Sequence, residues 1–188
     1  MVMLVLLLTA CVASLGGGLA VLGTTEGRIA AAHLRGVQTA YVAEAAARLA
    51  MDAIAQNPSS SYWPSNGQLP IFSGGPTRMA IAPSETVDLD VRTVELNADA
   101  ARAWPIGANT PRWRLAGWGA LPTVPSFRRA AVWVADDVMD GDGISGEDSN
   151  GLLMIHIEAF GPGGASRQVT AHVKRETSGV RMVSWREE

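Results

Sequence analysis

The sequence of 188 residues has a single cysteine, Cys11, and it has no Asp, Glu, Lys or Arg before Glu26. One cysteine excludes an intramolecular disulfide, and three widely separated histidines give no zinc-type spacing. The net charge of −3 gives no electrostatic basis for binding nucleic acid. No Gly-x-Ser-x-Gly elbow, phosphate-binding loop or long-period repeat is present. The sequence therefore predicts neither an enzyme nor a nucleic-acid-binding protein.

Residues 1–23 form a long apolar run without charge. A helix needs about 20 apolar residues to cross about 30 Å of hydrocarbon, so we expect a membrane-spanning helix here. A cleaved secretory signal is one alternative, although the run is long and has no basic start. A lipoprotein is another, because residues 8–11 read Leu-Thr-Ala-Cys, but residues 12–23 stay apolar where a polar tether is expected. The triple glycine at 16–18 weakens a helix in water, and small residues also allow close helix–helix contact in a membrane.

Residues 24–56 carry the first charges, and from residue 29 to residue 56 they are rich in alanine and free of proline. Apolar residues recur every three to five positions, as on one face of an amphipathic helix: Ile29, Leu34, Val37, Tyr41, Ala45, Leu49 and Ile54. We expect Ile29, Leu34, Val37, Tyr41 and Leu49 to pack against the rest of the protein. The helix should end before Pro58, so residues 1–56 would form one rod of about 84 Å.

Residues 57–188 are expected to form a β-rich head domain outside the cytoplasm. Residues 86–96 alternate polar and apolar side chains, as a half-buried strand does. Further strands are predicted at residues 113–118, 129–135, 152–159, 166–175 and 180–185. Turn signals between the last three predict consecutive antiparallel hairpins, and residues 62–83 are predicted to be loops. The expected fold class is therefore α+β, with a long N-terminal helix packed on an antiparallel β-rich head.

Two further predictions concern the histidines and the tryptophans of the head. His156 and His172 each alternate with apolar residues in a predicted strand, so both are expected to face solvent. All six tryptophans lie in the head, and most of them are expected in its core.

The acidic segment, residues 136–150, contains six of the 18 acidic residues of the chain. Carboxylates with interleaved glycines suit Ca²⁺, which takes six to eight oxygen ligands. Counted from Asp136, the spacing follows an EF-hand loop in part, but Val138 stands at the third position and no flanking helices are expected. The candidate metal ligands are Asp136, Asp140, Asp142, Glu147 and Asp148. The alternative is a solvated loop without a metal.

Two segments of the N-terminal helix resemble PilX-type minor pilins, in order and in spacing: Thr-Thr-Glu-Gly-Arg-Ile-Ala at residues 24–30 and Ala-Tyr-Val-Ala-Glu-Ala-Ala at residues 40–46. The resemblance covers about the first 55 residues. It implies a type IV pilin-type helix and a structural, non-enzymatic subunit of a type IV pilus or of a type II secretion pseudopilus. Such subunits are processed by a prepilin peptidase and pass from the inner membrane into an extracellular or periplasmic filament.

The resemblance also implies the partners of this chain. These are other minor and major pilins through the N-terminal helix, and membrane lipid before assembly. No cofactor apart from the candidate Ca²⁺, and no small-molecule substrate, is expected. Major pilins carry glutamate at the fifth mature position, and this chain has Val5 there if Met1 is the mature start. Since a buried unpaired charge is costly, this difference predicts a place at the filament tip. The alternative from another class is a signal-anchored or lipid-anchored envelope binding protein or enzyme.

Overall fold

The computed structural model describes residues 1–56, 74–82, 84–104, 110–121, 128–141, 144 and 147–187. Their elements in chain order are α1 (Val2–Gln56), β1 (Arg78–Ala82), β2 (Glu85–Asp88), α2 (Leu89–Ala103), β3 (Arg114–Ala120), β4 (Arg129–Asp136), β5 (Leu152–Phe160), β6 (Ser166–Glu176) and β7 (Gly179–Glu187). A single 3-10 turn at Pro162–Gly164 separates β5 from β6. The expected α+β class, with a long N-terminal helix on an antiparallel head, is confirmed.

The head is built on one antiparallel sheet in which β3 to β7 lie side by side in chain order. Each strand pairs antiparallel with the next. The predicted hairpins between the last three strands are therefore confirmed. β1 and β2 form a separate two-stranded hairpin. The prediction of loops is wrong for residues 78–82, because five residues are too few to show periodicity. Residues 62–73 of that predicted loop lie outside the described residues.

α1 is a single helix of 55 residues, about 82 Å long at 1.5 Å per residue. It passes through the triple glycine at residues 16–18 and through the first charges at residues 24–28 without a break. It is the one helix in the described part of the chain that is long and apolar enough to cross a membrane. Its most apolar window has a mean hydropathy of 2.3, and none of that window is buried within the chain.

The second half of α1 packs on one face of the sheet through small side chains. Its fully buried apolar residues are spaced three or four apart, as one helical face requires: Val42, Ala43, Ala46, Ala47, Ala50, Ala53 and Ile54. The sheet meets this face with the branched residues of β4 to β6, chiefly Val132, Val134, Ile155, Ile157 and Val169. Alanine carries no bulk beyond Cβ, so the helix backbone lies close to the sheet.

The predicted packing face of α1 is therefore wrong for four of its five residues. Ile29, Leu34 and Tyr41 are 64%, 56% and 67% exposed, and Val37 is 38% exposed. Leu49 alone is partly buried against the core. The bulky residues and the alanines of α1 both recur at helical spacing. The alanine face packs on the sheet because the Val and Ile side chains of the sheet already fill the space between the two.

α2 occupies most of a segment that the sequence predicts as a strand. The prediction for residues 86–96 holds only for the end of β2, and it is wrong from Leu89 onward. Asp88 caps the helix, because its Oδ1 accepts hydrogen bonds from the amides of Asp90 at 3.1 Å and Val91 at 3.2 Å. Leu89, Leu96 and Ala100 then form one buried helical face.

The second face of the sheet carries an aromatic layer under α2 and the β1–β2 hairpin. Trp113, Trp118 and Trp133 are buried there, which confirms the core assignment for these three. Burial of an indole removes about 150–250 Å² from water and contributes roughly 4–6 kcal/mol. Trp104 is 40% exposed and Trp185 is half-buried. Trp63 lies outside the described residues.

The turn between β5 and β6 touches α1. The Gly161 amide donates to the Ala165 carbonyl at 2.7 Å, and the Cα of Gly161 faces the side chain of Thr39. A Cβ at Gly161 would overlap Thr39 Oγ1, whose hydroxyl donates to the Arg35 carbonyl at 2.8 Å. The glycine is therefore required by the close approach of this turn to α1.

Replacing Gly161 by alanine should destabilise the head by roughly 1–3 kcal/mol, as overpacking of a closed contact does. The measurement is urea unfolding of the full chain in detergent, followed by near-ultraviolet circular dichroism. Gly36→Ala is the matched control, since a Cβ there meets nothing within 4 Å.

The overlap predicts a coupling with residue 39. In a Thr39→Ala background, which removes Oγ1, Gly161→Ala should cost clearly less than in the wild type. An equal cost in both backgrounds would show that the contact with α1 is not the reason for the glycine.

Candidate functional site

The acidic segment begins where β4 ends and returns to β5 at Leu152. Asp136, Asp137 and Asp140 are at most 5% exposed, and they offer carboxylate oxygens that all lie within 4.8 Å of one another. We call these three residues the carboxylate cluster. Their burial excludes a freely solvated loop as a description of these three side chains.

Hydrogen bonds fold the acidic segment onto the carboxylate cluster. Asp137 accepts from the Met139 amide and from Asn150 Nδ2, both at 2.8 Å. Asp140 accepts from the Ser149 amide at 2.7 Å, from Ser149 Oγ at 2.5 Å and from the Asn150 amide at 3.2 Å. Ser149 and Asn150, which follow the cluster in the chain, therefore donate most of the hydrogen bonds that Asp137 and Asp140 accept.

The five predicted metal ligands fall into different environments. Asp136 and Asp140 belong to the carboxylate cluster, together with Asp137, which was not among the predicted ligands although it directly follows β4. Asp148 is buried and forms an ion pair with Arg175. Glu147 is half-buried, and Asp142 lies outside the described residues.

The electrostatics of the cluster raise the pKa of Asp136 from 3.8 to about 7. Burial is the main cause, and the nearby carboxylates of Asp140, Asp137 and Asp148 act in the same direction. The hydrogen bond from the Asp137 amide to Asp136 Oδ1, at 2.9 Å, acts against them. Near neutral pH the cluster therefore holds a proton unless a cation offsets its charge. Ca²⁺ at this cluster stays a prediction from the sequence.

A second polar group lies on the face of the sheet that α2 covers. The prediction that His156 faces solvent is wrong, since its side chain is 2% exposed. Its ring lies 5.8 Å from the ring centres of Trp113 and Trp133, and its Nδ1 is 3.0 Å from Thr170 Oγ1. The pattern of residues 86–96 predicts a strand in place of α2, and this helix packs on the face of the sheet to which His156 belongs.

Glu158 links this face to α2. Its Oε1 accepts from Arg92 Nε at 2.5 Å and lies 3.4 Å from His156 Nε2. Burial alone would raise the pKa of Glu158, but the hydrogen bonds from His156 and Arg92, with their charges, hold this pKa below its usual value. Glu158 is therefore ionised and buried, and the hydrogen bond that it accepts from Arg92 connects α2 to the sheet.

Beside α2 the same face of the sheet opens into a groove of about 510 Å³, which we call the outer groove. Its floor is formed mostly by polar residues of β5 to β7, and its wall by the flank of α2 from Arg92 to Ala103. His172 is half-buried in this floor, with its Nδ1 2.7 Å from Ser184 Oγ. Trp104, at the end of α2, stands at its rim.

A different groove of about 620 Å³ lies between α1 and β7, and we call it the helix groove. Val37, Tyr41, Met182 and Trp185 give it an apolar lining. Glu44 and Arg48 lie along it and pair with each other at 2.5 Å.

No protein-family model, curated protein or solved structure matches this chain significantly.

Replacing Glu158 by glutamine should destabilise the head by roughly 1–3 kcal/mol, because Arg92 and His156 would lose a charged acceptor in a buried site. Urea unfolding of the full chain in detergent measures this change. Glu44→Gln is the control, since that exposed pair should contribute less than about 0.5 kcal/mol. A similar small loss for both variants would contradict the role given to Glu158.

Since the pKa of Asp136 is raised in the folded state, its contribution to stability is complete below its unfolded pKa and is lost as the pH rises through about 7. Asp136→Asn keeps a neutral side chain at every pH. The variant should therefore gain thermal stability over the wild type between about pH 4 and pH 8. A difference in melting temperature that does not change with pH would contradict this account.

The same two proteins test the calcium prediction. If Ca²⁺ binds the carboxylate cluster, millimolar Ca²⁺ should raise the melting temperature of the wild type above neutral pH and have little effect on Asp136→Asn. Equal shifts in both proteins, or none, would reject calcium at this cluster.

Proposed function

We propose that this chain is a minor pilin or pseudopilin, a structural subunit of a type IV pilus or of a type II secretion pseudopilus. It enters the inner membrane through the first half of α1 and passes from there into an extracellular or periplasmic filament. Its partners are other pilins, which it meets through the same helix, and it performs no catalysis.

The proposal rests on the division of α1 into an exposed first half and a second half that packs on the sheet. Every residue from 1 to 34 is exposed, whereas the buried residues begin at Thr39 and continue to Ile54. The sheet therefore holds the helix by its second half alone. The first half has no covering in the described chain, and its apolar surface requires lipid or neighbouring helices.

Two further features support neighbouring helices as the final environment. A Cβ at any of the glycines 16–18 meets nothing within 4 Å, so this small-residue surface is open for close helix packing. The exposed apolar residues of α1 also continue from Ile29 through Val37 and Tyr41 to the helix groove. An apolar strip thus runs from the uncovered half of α1 to the head.

The resemblance of residues 24–30 and 40–46 to PilX-type minor pilins agrees with this division. The first segment lies where α1 leaves its uncharged half, and the second includes buried Val42, Ala43 and Ala46, which face the sheet. The segments on which the resemblance rests therefore lie along the part of α1 that joins the apolar half to the head.

The test is to find the protein in filaments sheared from cells that produce it, and to exchange residues 2–22 for an unrelated membrane helix of equal length. The exchanged chain should stay in the membrane fraction and disappear from the filaments. This outcome would separate assembly through α1 from simple anchoring.

The matched control is Arg181→Gln, which changes an exposed residue of β7 outside both grooves and should leave the protein in the filaments. Absence of the wild-type chain from sheared filaments, with full recovery from detergent-extracted membrane, would contradict the proposal. Incorporation of the exchanged chain would show that residues 2–22 do not direct assembly.

A further inference from the structure

The outer groove has the dimensions and lining of a small-ligand site. Its volume of about 510 Å³ lies within the range of about 300–1,000 Å³ that such sites occupy. An apolar wall of Leu96, Ala100 and Trp113 faces a polar floor that includes Gln168, His172 and Ser184. Apolar walls with a few placed polar groups are typical of ligand pockets.

The charge of the outer groove favours an anion. Arg92 of α2 and Arg186 of β7 both line the groove. Arg92 is already bound to Glu158 and Glu95, and Asp99 is paired with Arg102. Arg186 makes no ion pair with any residue that the structure describes, and it is exposed. Its guanidinium is therefore available for bidentate contact with a carboxylate.

The rim of the groove adds an aromatic surface. Trp104 follows the last residue of α2, where its amide donates to the Ala100 carbonyl at 2.9 Å. The other tryptophans of this face are at most 9% exposed, whereas Trp104 is 40% exposed. An exposed indole beside polar groups offers an apolar surface on which a ring can pack.

We propose that the outer groove binds an acidic sugar unit of a glycan. Its carboxylate pairs with Arg186, the CH face of its ring packs on Trp104, and its hydroxyls meet the polar floor at Gln168, His172 and Ser184. A purely apolar ligand would leave this floor without partners, and a bare inorganic anion would leave Trp104 unused. A ring that carries both hydroxyls and a carboxylate uses all three parts of the groove.

This site is independent of the proposed filament role. It lies on the face of the sheet opposite to α1, and no described residue of α1 lines it. Loss of sugar binding would therefore leave the assembly proposal untouched, and failure to enter filaments would leave the groove unaffected.

The experiment is isothermal titration of the full chain in a detergent without a sugar headgroup. The probes are trigalacturonic acid, the neutral galactose trimer and inorganic phosphate. The wild type should bind the acidic trimer about tenfold or more tightly than the neutral trimer, which corresponds to about 1.4 kcal/mol for one charge-assisted contact. Phosphate alone should bind more weakly than the acidic trimer.

Three variants locate the binding. Arg186→Gln should lower the affinity for the acidic trimer to that for the neutral one, and Trp104→Leu should weaken both sugars. Arg181→Gln is the matched control on the same strand, because Arg181 pairs with Glu176 and lies outside the groove. Its affinities should stay within about twofold of the wild type. Near-ultraviolet circular dichroism checks that each variant is folded.

Several results would overturn the proposal. These are equal affinities for the acidic and neutral trimers, phosphate binding as tight as the acidic trimer, an unchanged affinity in Arg186→Gln, or no heat up to about 10 mM acidic trimer, the limit of very weak binding.

Discussion

The close contact between the alanine face of α1 and the sheet is the interaction on which the rest of the structure depends. Ala43, Ala46 and Ala50 are completely buried and bring the helix backbone onto the branched side chains of β4 to β6. This contact tolerates little change in side-chain size, because protein interiors are close-packed and small cavities or overlaps destabilise them. The glycine turn after β5 extends the same contact to Thr39.

This contact also determines what stays uncovered. Because the sheet holds only the second half of α1, the preceding apolar residues project from the head without any partner in the described chain. A surface of this kind is unfavourable in water, so lipid or neighbouring helices must cover it. The bulky residues that the sheet does not use, Leu34, Val37 and Tyr41 among them, lie on the outside of the helix and continue that surface.

The opposite face of the sheet is organised by charge as well as by apolar packing. Glu158 binds Arg92 of α2 and lies beside His156, so a buried carboxylate fixes the helix over the tryptophan layer. The outer groove lies beside α2, between the flank of the helix from Arg92 to Ala103 and strands β5 to β7. Its position therefore depends on where the pair of Arg92 and Glu158 holds α2 on the sheet.

The sequence predicts the long helix and the hairpins, because an uncharged run and repeated strand–turn patterns are local signals. It does not predict which face of α1 packs, since the stripe of Val37 and Tyr41 and the stripe of Ala43 and Ala47 both have helical spacing. In residues 87–91 the alternation of polar and apolar residues suggests a strand, but the structure has a helix from Leu89 onward, which Asp88 caps.

The candidate sites are likewise predicted from the sequence only in part. The acidic segment is visible as composition, but the grouping of Asp136, Asp137 and Asp140 depends on how the segment folds back on Ser149 and Asn150. His156 is buried beside Trp113 and Trp133, and no local pattern in the sequence shows this packing. Arg92 and Glu158 are 66 residues apart, and no local pattern joins them.

The central claim is that the uncharged residues 1–23 lie in an apolar environment, while α1 from its first charge at Glu26 onward lies in water. The most direct measurement is labelling of single cysteines by a membrane-impermeant maleimide, with the full chain in lipid nanodiscs. Native Cys11 should be protected, and Glu26→Cys in a Cys11→Ala background should react readily. Labelling of Cys11 as fast as the cysteine at position 26 would contradict the claim.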